Sequence, residues 1–480
     1  MLRTTAWQTP IRRAALWAGS TTPTGADSGR KQPQLQLAPT AVEYDPAAVS
    51  VYMHWPYCSR ICPYCAFNRT LMDKSVDVAR MQRAMVTELG AQLAHIGPGR
   101  KISSVYFGGG TPSLAPPGLV KDLLHTLRAY QPDLPSGMEV TLEFNPIQCH
   151  GSGGLELLQS FAAAGVTRAS LGVQTFNPVH LKTLGRDHTP EQALDALQNA
   201  RAVFPGRVSL DLMFATPTQT IRDWEEDLQL AVAHADAHIS LYHLTLEKGT
   251  SFFTRHSRGA LALPNDDQAG DMLELASRTL SSHQPRPWHR YEVANFAQPS
   301  HESQHNLGYW AGNDYLAIGP GAHGRVTLPP LPAAGTNATS TWRRFATVQQ
   351  RSTPHWLQSV ETRGRGTHRE EQQTPVDRLQ EVLTMALRTR RGITTRAWDA
   401  HCSQLSSHLS APIPTLAALV CDESEKSLQH STTQFLRAAL DNGAIELDLD
   451  GLRVVQLHLL DEIMSWLLLR LEQLLSSGRR

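Results

Sequence analysis

An excess of charge of either sign is missing from this 480-residue chain, in which 44 Lys and Arg stand against 44 Asp and Glu. A nucleic-acid partner would call for a basic surplus, so none is expected. Long apolar runs are missing too. Hydrophobic residues make up 41 % of the sequence, yet no uninterrupted run approaches the ~18 residues of a membrane-spanning helix. The apolar stretch between Ile463 and Leu475 is short and is broken by Arg470 and Glu472. Cysteine is scarce: six residues, three of them bunched, do not make a disulfide framework for a chain of this size. One further absence is local. Between Met1 and Ala26 there is no acidic residue, while Arg3, Arg12 and Arg13 are present and Leu2, Trp7, Ile11, Leu16 and Trp17 share an apolar helical face. That is the composition of a transit peptide. The expected location is the mitochondrial matrix, with a plastid, or a cytoplasmic protein carrying an unaddressed tail, as the alternatives.

What is present after Pro46 is an alternation of short β-rich runs and longer amphipathic stretches. Strands are expected near 49–53, 104–107, 139–144, 168–172, 208–213 and 239–244, with a further short one at 291–293. Helices are expected near 75–95, 117–130, 154–164, 191–203, 220–234 and 266–283, on apolar positions at helical spacing such as Leu89, Leu93 and Ile96. Repetition of strand and helix implies a parallel α/β sheet, doubly wound or a barrel. Proline- and glycine-rich segments between 327 and 374 read as a connecting segment. Beyond it, 377–387, 431–441 and 459–476 read as helices, with a hairpin at 444–455 turning on Asp448-Leu-Asp-Gly451. The expected division is 1–45 as a leader, 46–326 as the core, 327–374 as the connection and 375–480 as a helical domain with a β-wing.

The chemistry is concentrated where the first strand ends, in Tyr52-Met-His-Trp-Pro-Tyr-Cys58-Ser-Arg-Ile-Cys62-Pro-Tyr-Cys65-Ala-Phe67. Three thiolates on one tight loop hold three corners of a 4Fe-4S cube and leave the fourth iron open to a small molecule. Zinc with a distant fourth ligand is the competing reading, although structural zinc prefers paired C-x2-C spacing. In parallel α/β folds functional groups sit at the carboxyl ends of strands, and the later strands deliver Gly108-Gly109-Gly110-Thr111, Glu143, Gln174 and Asp211 there in turn. Singly, each has a structural explanation: a tight turn, or a solvated strand-end carboxylate. Glycines let a ligand reach the backbone, the two acids suit a ribose diol, and Arg186 suits a ligand carboxylate. The lone Cys149, Cys402 and Cys421 read as small buried hydrophobes.

Together these residues resemble the radical S-adenosylmethionine superfamily, in particular its coproporphyrinogen-oxidase-like (HemN/HemW) branch. The likeness runs through about 48–325 and more loosely through 375–475. It implies a partial (β/α)6 TIM-type barrel with a C-terminal helical domain carrying a β-wing. It further implies Cys58, Cys62 and Cys65 as 4Fe-4S ligands, and Tyr52, Tyr64, Gly109, Gly110, Thr111, Glu143, Gln174, Arg186 and Asp211 around S-adenosylmethionine. In that family one-electron reduction cleaves the bound sulfonium to a 5′-deoxyadenosyl radical. The oxidase proper has another cysteine two places after the third; here that place is Phe67, as in the HemW group. The chain also contains His305-Asn-Leu-Gly-Tyr309-Trp310, the H-N-x-x-Y-W pattern of that group. The resemblance thus implies a haem chaperone that contacts haem through His305 and passes it to acceptor haemoproteins, with an electron donor for the cluster. The residues alone allow a loop anchored by a buried aromatic pair instead. The alternatives are an oxygen-independent coproporphyrinogen III dehydrogenase and a non-catalytic iron–sulfur or metal-binding scaffold, so enzymatic activity is left open, as is a homodimer. Two departures stand out: Ala66 where Asp or Asn is usual, and Ala215-Thr-Pro-Thr218 where Gly-Leu-Pro-Gly is common.

Overall fold

A computed structural model describes residues 43–329, 343–409, 411–421, 431–456 and 459–477. The expected leader therefore lies outside the described residues. The main sheet has twelve strands, numbered in chain order: β1 Ala48–Trp55, β2 Lys101–Gly109, β3 Glu139–Phe144, β4 Arg168–Gln174, β5 Val208–Phe214, β6 His238–His243, β7 His289–Arg290, β8 Asn295–Ala297, β9 Asp314–Ile318, β10 His323–Thr327, β11 Arg344–Gln349 and β12 Thr367–Gln372. Their order is β12-β11-β10-β9-β1-β2-β3-β4-β5-β6-β8-β7. The seven from β9 to β6 are parallel, and the strands outside them are antiparallel. The first six strands are those expected from the sequence, and they form a partial barrel, open because β1 and β6 each have another neighbour.

The crossover helices are α1 Val78–Ile96, α2 Pro117–Tyr130, α3 Gly151–Ala164, α4 Pro190–Val203, α5 Ile221–His234 and α6 Asp266–Ser282. Local chemistry explains their starts. Thr189 with Gln192, Thr220 with Asp223 and Asn265 with Gln268 form capping boxes that satisfy amide groups the helix itself leaves unpaired. One face of each strand supplies the core beneath these helices, through Val51 and Met53, Val105 and Phe107, Val140 and Leu142, Leu171 and Val173, Leu210 and Leu212, Ile239 and Leu241. The alternation that buries these residues sends their neighbours to the opposite face. There the registers align Ser50 with Ser104, Tyr52 with Tyr106, Tyr106 with Thr141, Glu143 with Ser170, Ser170 with Ser209, and Asp211 with Ser240. The second face of the barrel wall is thus polar although Ser50, Ser104, Thr141, Ser170, Ser209 and Ser240 are all buried.

Two expectations need correction. The stretch 291–293 is the link between β7 and β8, where the chain reverses into an antiparallel pair, and not itself a strand. The stretch 327–374, read as a connection, contains β11, the helix Thr353–Arg363 and β12, which extend the sheet beyond β10. Its prolines and glycines are the breaks between these elements.

After β12 come α8 Pro375–Ala386, α9 Ser431–Asp441 and α10 Leu460–Ser477, with a small sheet of Ile393–Thr394, Gly451–Val454 and Ile445–Leu447. They share a second apolar core around Leu379, Leu383, Trp398, Leu436, Ile463 and Leu467. A buried ion network joins this core to the sheet. Glu381 of α8 accepts from Arg325 Nε at 2.7 Å, Gln373 Nε2 at 2.9 Å, Arg378 Nη1 at 3.2 Å and Arg344 Nη2 at 3.3 Å. Asp314 takes Arg100 at 2.7 Å and also pairs with Arg344.

Candidate functional site

The cysteine loop is closed at its base. Tyr57–Cys58 pairs in parallel with Thr70–Leu71, and Thr70 N–H and Met72 N–H donate to Pro56 O and Cys58 O, each at 2.8 Å. Cys58 is buried while Cys62 and Cys65 are half-buried, and all three are free thiols. Burial pushes the Cys58 thiol up to about 11, against a hydrogen bond from Thr111. Tyr64 ties the loop into a satellite apolar cluster with Leu184, Met213, Leu244, Phe252 and Leu261.

The glycine triplet lies against the base of the loop. Gly110 N–H donates to Trp55 O at 2.7 Å and Thr111 N–H to Tyr57 O at 2.8 Å. A Cβ on Gly110 would sit 2.7 Å from Tyr57 O and 2.9 Å from Cys58 Sγ. Gly109 adopts φ +115°, and a Cβ there would come within 2.7 Å of the His54 ring, so both positions exclude a side chain.

Two residues that sequence reasoning missed brace the loop. Asn68 Nδ2 donates to Pro320 O and Arg351 O, each at 2.9 Å. His54 Nε2 lies 2.7 Å from Asn68 O and must donate to it, which leaves Nδ1 to accept from Tyr52 OH at 3.2 Å. The sequence signal for His54 is its place two residues after Tyr52 on the same strand face.

Of the remaining expected residues Arg186 stands beside the thiols, and Gln174, Glu143 and Asp211 lie on β4, β3 and β5. Arg186 Nη1 approaches Cys62 Sγ at 3.8 Å, while Nη2 donates to Gly172 O at 2.7 Å and Asn145 Oδ1 at 3.1 Å. Gln174 takes φ 72° at a bulge in β4. Its Nε2 lies over Gly172, 3.0 Å from where a Cβ would be, with Arg186 Nη2 at 3.6 Å from the same point. Glu143 accepts from Tyr106 OH at 2.9 Å, and burial raises its carboxyl to about 8. Asp211 Oδ2 accepts from Ser170 at 2.7 Å, and burial raises that carboxyl to about 6. Tyr106, also missed, shares its face with Tyr52, and the two rings stack at 6.2 Å.

Asp211 Oδ1, Arg186 Nε and Thr216 Oγ1 are buried without a protein partner. Unsatisfied groups of this kind cost about 1–3 kcal/mol each, and a polar ligand or ordered water would satisfy them. Among the described residues no three His, Cys, Asp or Glu side chains are grouped as ligands of one ion. A cluster spreads its thiolates over separate irons and needs no such convergence. The three thiols with the Arg186 guanidinium at Cys62, and the acids Glu143 and Asp211 on the same face of the sheet, fit an iron–sulfur cluster with a zwitterionic ligand carrying a ribose.

His305 lies on a short helix, α7 Gln304–Trp310 in chain order, which packs on β2. It is 1 % exposed, its ring is 5.1 Å from that of Tyr106, and burial lowers its pKa to about 3. Both ring nitrogens are engaged: Nδ1 with Ser104 Oγ at 2.9 Å and Nε2 with Tyr309 OH at 2.7 Å. Glu139 accepts from His305 N–H at 3.0 Å, Gln304 N–H at 3.1 Å and Ser303 Oγ at 3.2 Å, which fixes the helix start. The departures noted after β5 also have a structural meaning. Ala215 and Thr218, standing where the family commonly has glycines, both take positive φ, 55° and 63°.

Residues 52–231 match the family model of the Radical SAM superfamily. The chain is 40 % identical over 351 residues to "Radical S-adenosyl methionine domain-containing protein 1, mitochondrial" of Danio rerio, covering 73 % of this chain and 75 % of that one. It is 36 % identical over 297 residues to "Heme chaperone HemW" of Escherichia coli, covering 62 % and 75 %. Among solved structures, the coproporphyrinogen III oxidase HemN of Escherichia coli superposes with a TM-score of 0.65 at 18 % identity, covering 89 % of this chain and 91 % of that one. That likeness concerns the fold.

Proposed function

The chain belongs to the HemN/HemW-like family of radical S-adenosylmethionine proteins, and from that membership we propose that it is a mitochondrial haem chaperone. It binds haem beside a 4Fe-4S cluster held by Cys58, Cys62 and Cys65, and it delivers haem to acceptor haemoproteins. The observation that carries this reading is Phe67. The place two residues after the third cysteine, where an oxidase has a further thiol, holds an aromatic side chain that is 45 % exposed on the rim of the loop. The name of the bacterial relative, a haem chaperone, supports the same choice, and the name of the Danio rerio relative supports the location.

Within this reading each residue has a physical task. The cysteine loop, braced by Asn68 and His54, holds the thiols. Gly109 and Gly110 let the end of β2 pack against His54 and the base of the cysteine loop, and Asp211 and Glu143 face a diol. The Arg186 guanidinium neutralises charge beside Cys62, while Tyr52, Tyr64, Thr111 and Gln174 complete the walls. When bound, the reduced cluster and S-adenosylmethionine supply one-electron cleavage of the sulfonium; the protein orients the ligand and excludes water.

The test is anaerobic purification with iron, sulfide and haem quantification, followed by haem titration and an assay with coproporphyrinogen III. Stoichiometric haem binding without conversion of the porphyrinogen is the expected result. Conversion of propionates to vinyl groups would establish the dehydrogenase reading instead. Cluster content without either activity would leave a scaffold.

A further inference from the structure

We infer that Glu88, in the middle of α1, is a positioning residue for Cys58: it holds the turn on which the cysteine loop closes. The inference rests on the reading of Cys58, Cys62 and Cys65 as cluster ligands. It begins with a carboxylate that is fully buried. Glu88 Oε2 accepts from Gly319 N–H and Oε1 from Gly366 N–H, each at 2.7 Å. Trp356 Nε1 donates to the same two oxygens at 3.1 and 3.2 Å. Burying a charge is costly unless it is hydrogen-bonded, and here both oxygens are spent on the backbone of two turns. Gly319 opens the turn between β9 and β10, and Gly366 stands just before β12.

From these two glycines the contacts run to the loop. Gln350 N–H donates to Gly366 O at 2.8 Å, and Gly321 N–H donates to Gln350 O at 3.0 Å. Pro320 O, between the two tied glycines, and Arg351 O, next to Gln350, are the two acceptors of Asn68 Nδ2. Asn68 O in turn accepts from His54 Nε2, and two residues later the chain is paired with Tyr57–Cys58. The fit is close. Gly319 and Gly321 take φ +97° and +76°; a Cβ on the first would strike His54 O, and one on the second would lie 2.7 Å from Asn68 Nδ2. Glu88 therefore acts on Cys58 through the turn and Asn68. An amide at position 88 does not replace the carboxylate, because its NH2 would face a backbone N–H, donor against donor.

The chain carries its own control. Cys58 and Cys149 are both buried, but Cys149 lies in the short helix Pro146–Cys149 after β3, and none of the contacts above reaches it. Freeing the turn exposes Cys58 alone, whereas a general loss of stability exposes both. The full-length protein, prepared without iron, is given a short pulse of iodoacetamide at about pH 8.5, where thiols ionise. The Glu88 carboxyl, raised to about 7 by burial, is ionised there too. Mass spectrometry then reads each cysteine in wild type, Glu88→Gln and Asn68→Asp, the last of which keeps the shape of Asn68 and loses both donors. The Cys58-to-Cys149 labelling ratio should rise about tenfold in each variant, the weight of one hydrogen bond to a charged group or of two neutral ones. Loss of iron from the reconstituted proteins to a chelator should quicken by a similar factor. Equal rises at Cys58 and Cys149 in Glu88→Gln make Glu88 a residue of the general fold and overturn the inference. A wild-type ratio in Glu88→Gln, with a raised one in Asn68→Asp, leaves the brace at Asn68 and removes Glu88 from it. A wild-type ratio in both variants removes the brace altogether. A wild-type protein that takes up no iron and sulfide removes the cluster reading instead, and the labelling ratio still decides whether Glu88 closes the loop.

Discussion

Replacing Gly110 by Ala tests how closely the cysteine loop depends on the glycine triplet. The new Cβ would lie 2.7 Å from Tyr57 O, 2.9 Å from the Pro56 carbonyl carbon and 2.9 Å from Cys58 Sγ. Two of those atoms are backbone, so no rotamer change relieves them. Carbon contacts are comfortable at roughly 3.5 Å, so one or more of these groups must retreat by about 0.6 Å or more. The Gly110–Trp55 and Thr111–Tyr57 hydrogen bonds pull the strand ends together, which leaves the two-residue pairing of Tyr57–Cys58 with Thr70–Leu71 as the part that yields. Overpacking of this kind costs about 1–3 kcal/mol. If about 1.4 kcal/mol of it falls on the placement of Cys58, cluster retention drops roughly tenfold. The assay is iron and sulfide content after anaerobic reconstitution, with absorbance near ~400 nm as the optical check and thermal unfolding as the control for the fold. Gly118→Ala is the comparison, since a Cβ there meets only Gln82 Nε2 at 3.9 Å. Wild-type iron and sulfide in Gly110→Ala would refute the reasoning.

Thr218→Gly should stabilise the protein slightly: a non-glycine residue at left-handed φ costs about 1–2 kcal/mol, the glycine loses about 0.5–1 kcal/mol through the unfolded chain, and a net gain of up to about 1.5 kcal/mol should appear in urea unfolding. Equal or lower stability would show that the loop repays its strain through contacts of the threonine. Glu381→Gln removes the negative charge shared by Arg325, Arg344 and Arg378 and should cost about 3–5 kcal/mol, read from the same unfolding curves; a loss below about 1 kcal/mol would contradict the network. Desolvation raises the half-buried Glu381 carboxyl, but the three guanidiniums outweigh that and hold it down at about 2 against an ordinary value of 4.5. The stability it contributes is therefore complete above pH 4.5 and is lost as pH falls toward 2, by about 3 kcal/mol in all. Acid unfolding of Glu381→Gln should lack that part of the slope.

Much of the scaffold was legible because its signals are local. Six strands and their helices follow from periodicity and caps that act within a few residues, and α2 and β3 begin and end where the pattern changes. The extension β11–β12 was not legible. Thr367-His-Arg-Glu-Glu-Gln372 is polar and largely exposed, so neither face carries the apolar alternation that marks a strand, and only pairing with β11 makes it one. The 291–293 segment was misread for a related reason: β-rich residue types there serve a reversal whose partner strands are short.

By itself the sequence determined the cysteine spacing, the glycine triplet and the parity that places Tyr52, Glu143 and Asp211 on one face, because each depends on covalent neighbours and the two-residue repeat of a strand. Only the tertiary structure decided what surrounds them. Arg186 reaches Cys62 across 124 residues, and Asn68 is tied to Pro320 across 252. His305 meets Ser104 across 201, a contact that places it inside the barrel with both ring nitrogens engaged rather than on an open haem-binding loop. Such pairings leave no periodic trace in the chain, since they come from how the helices and strands pack, not from any residue's own preference.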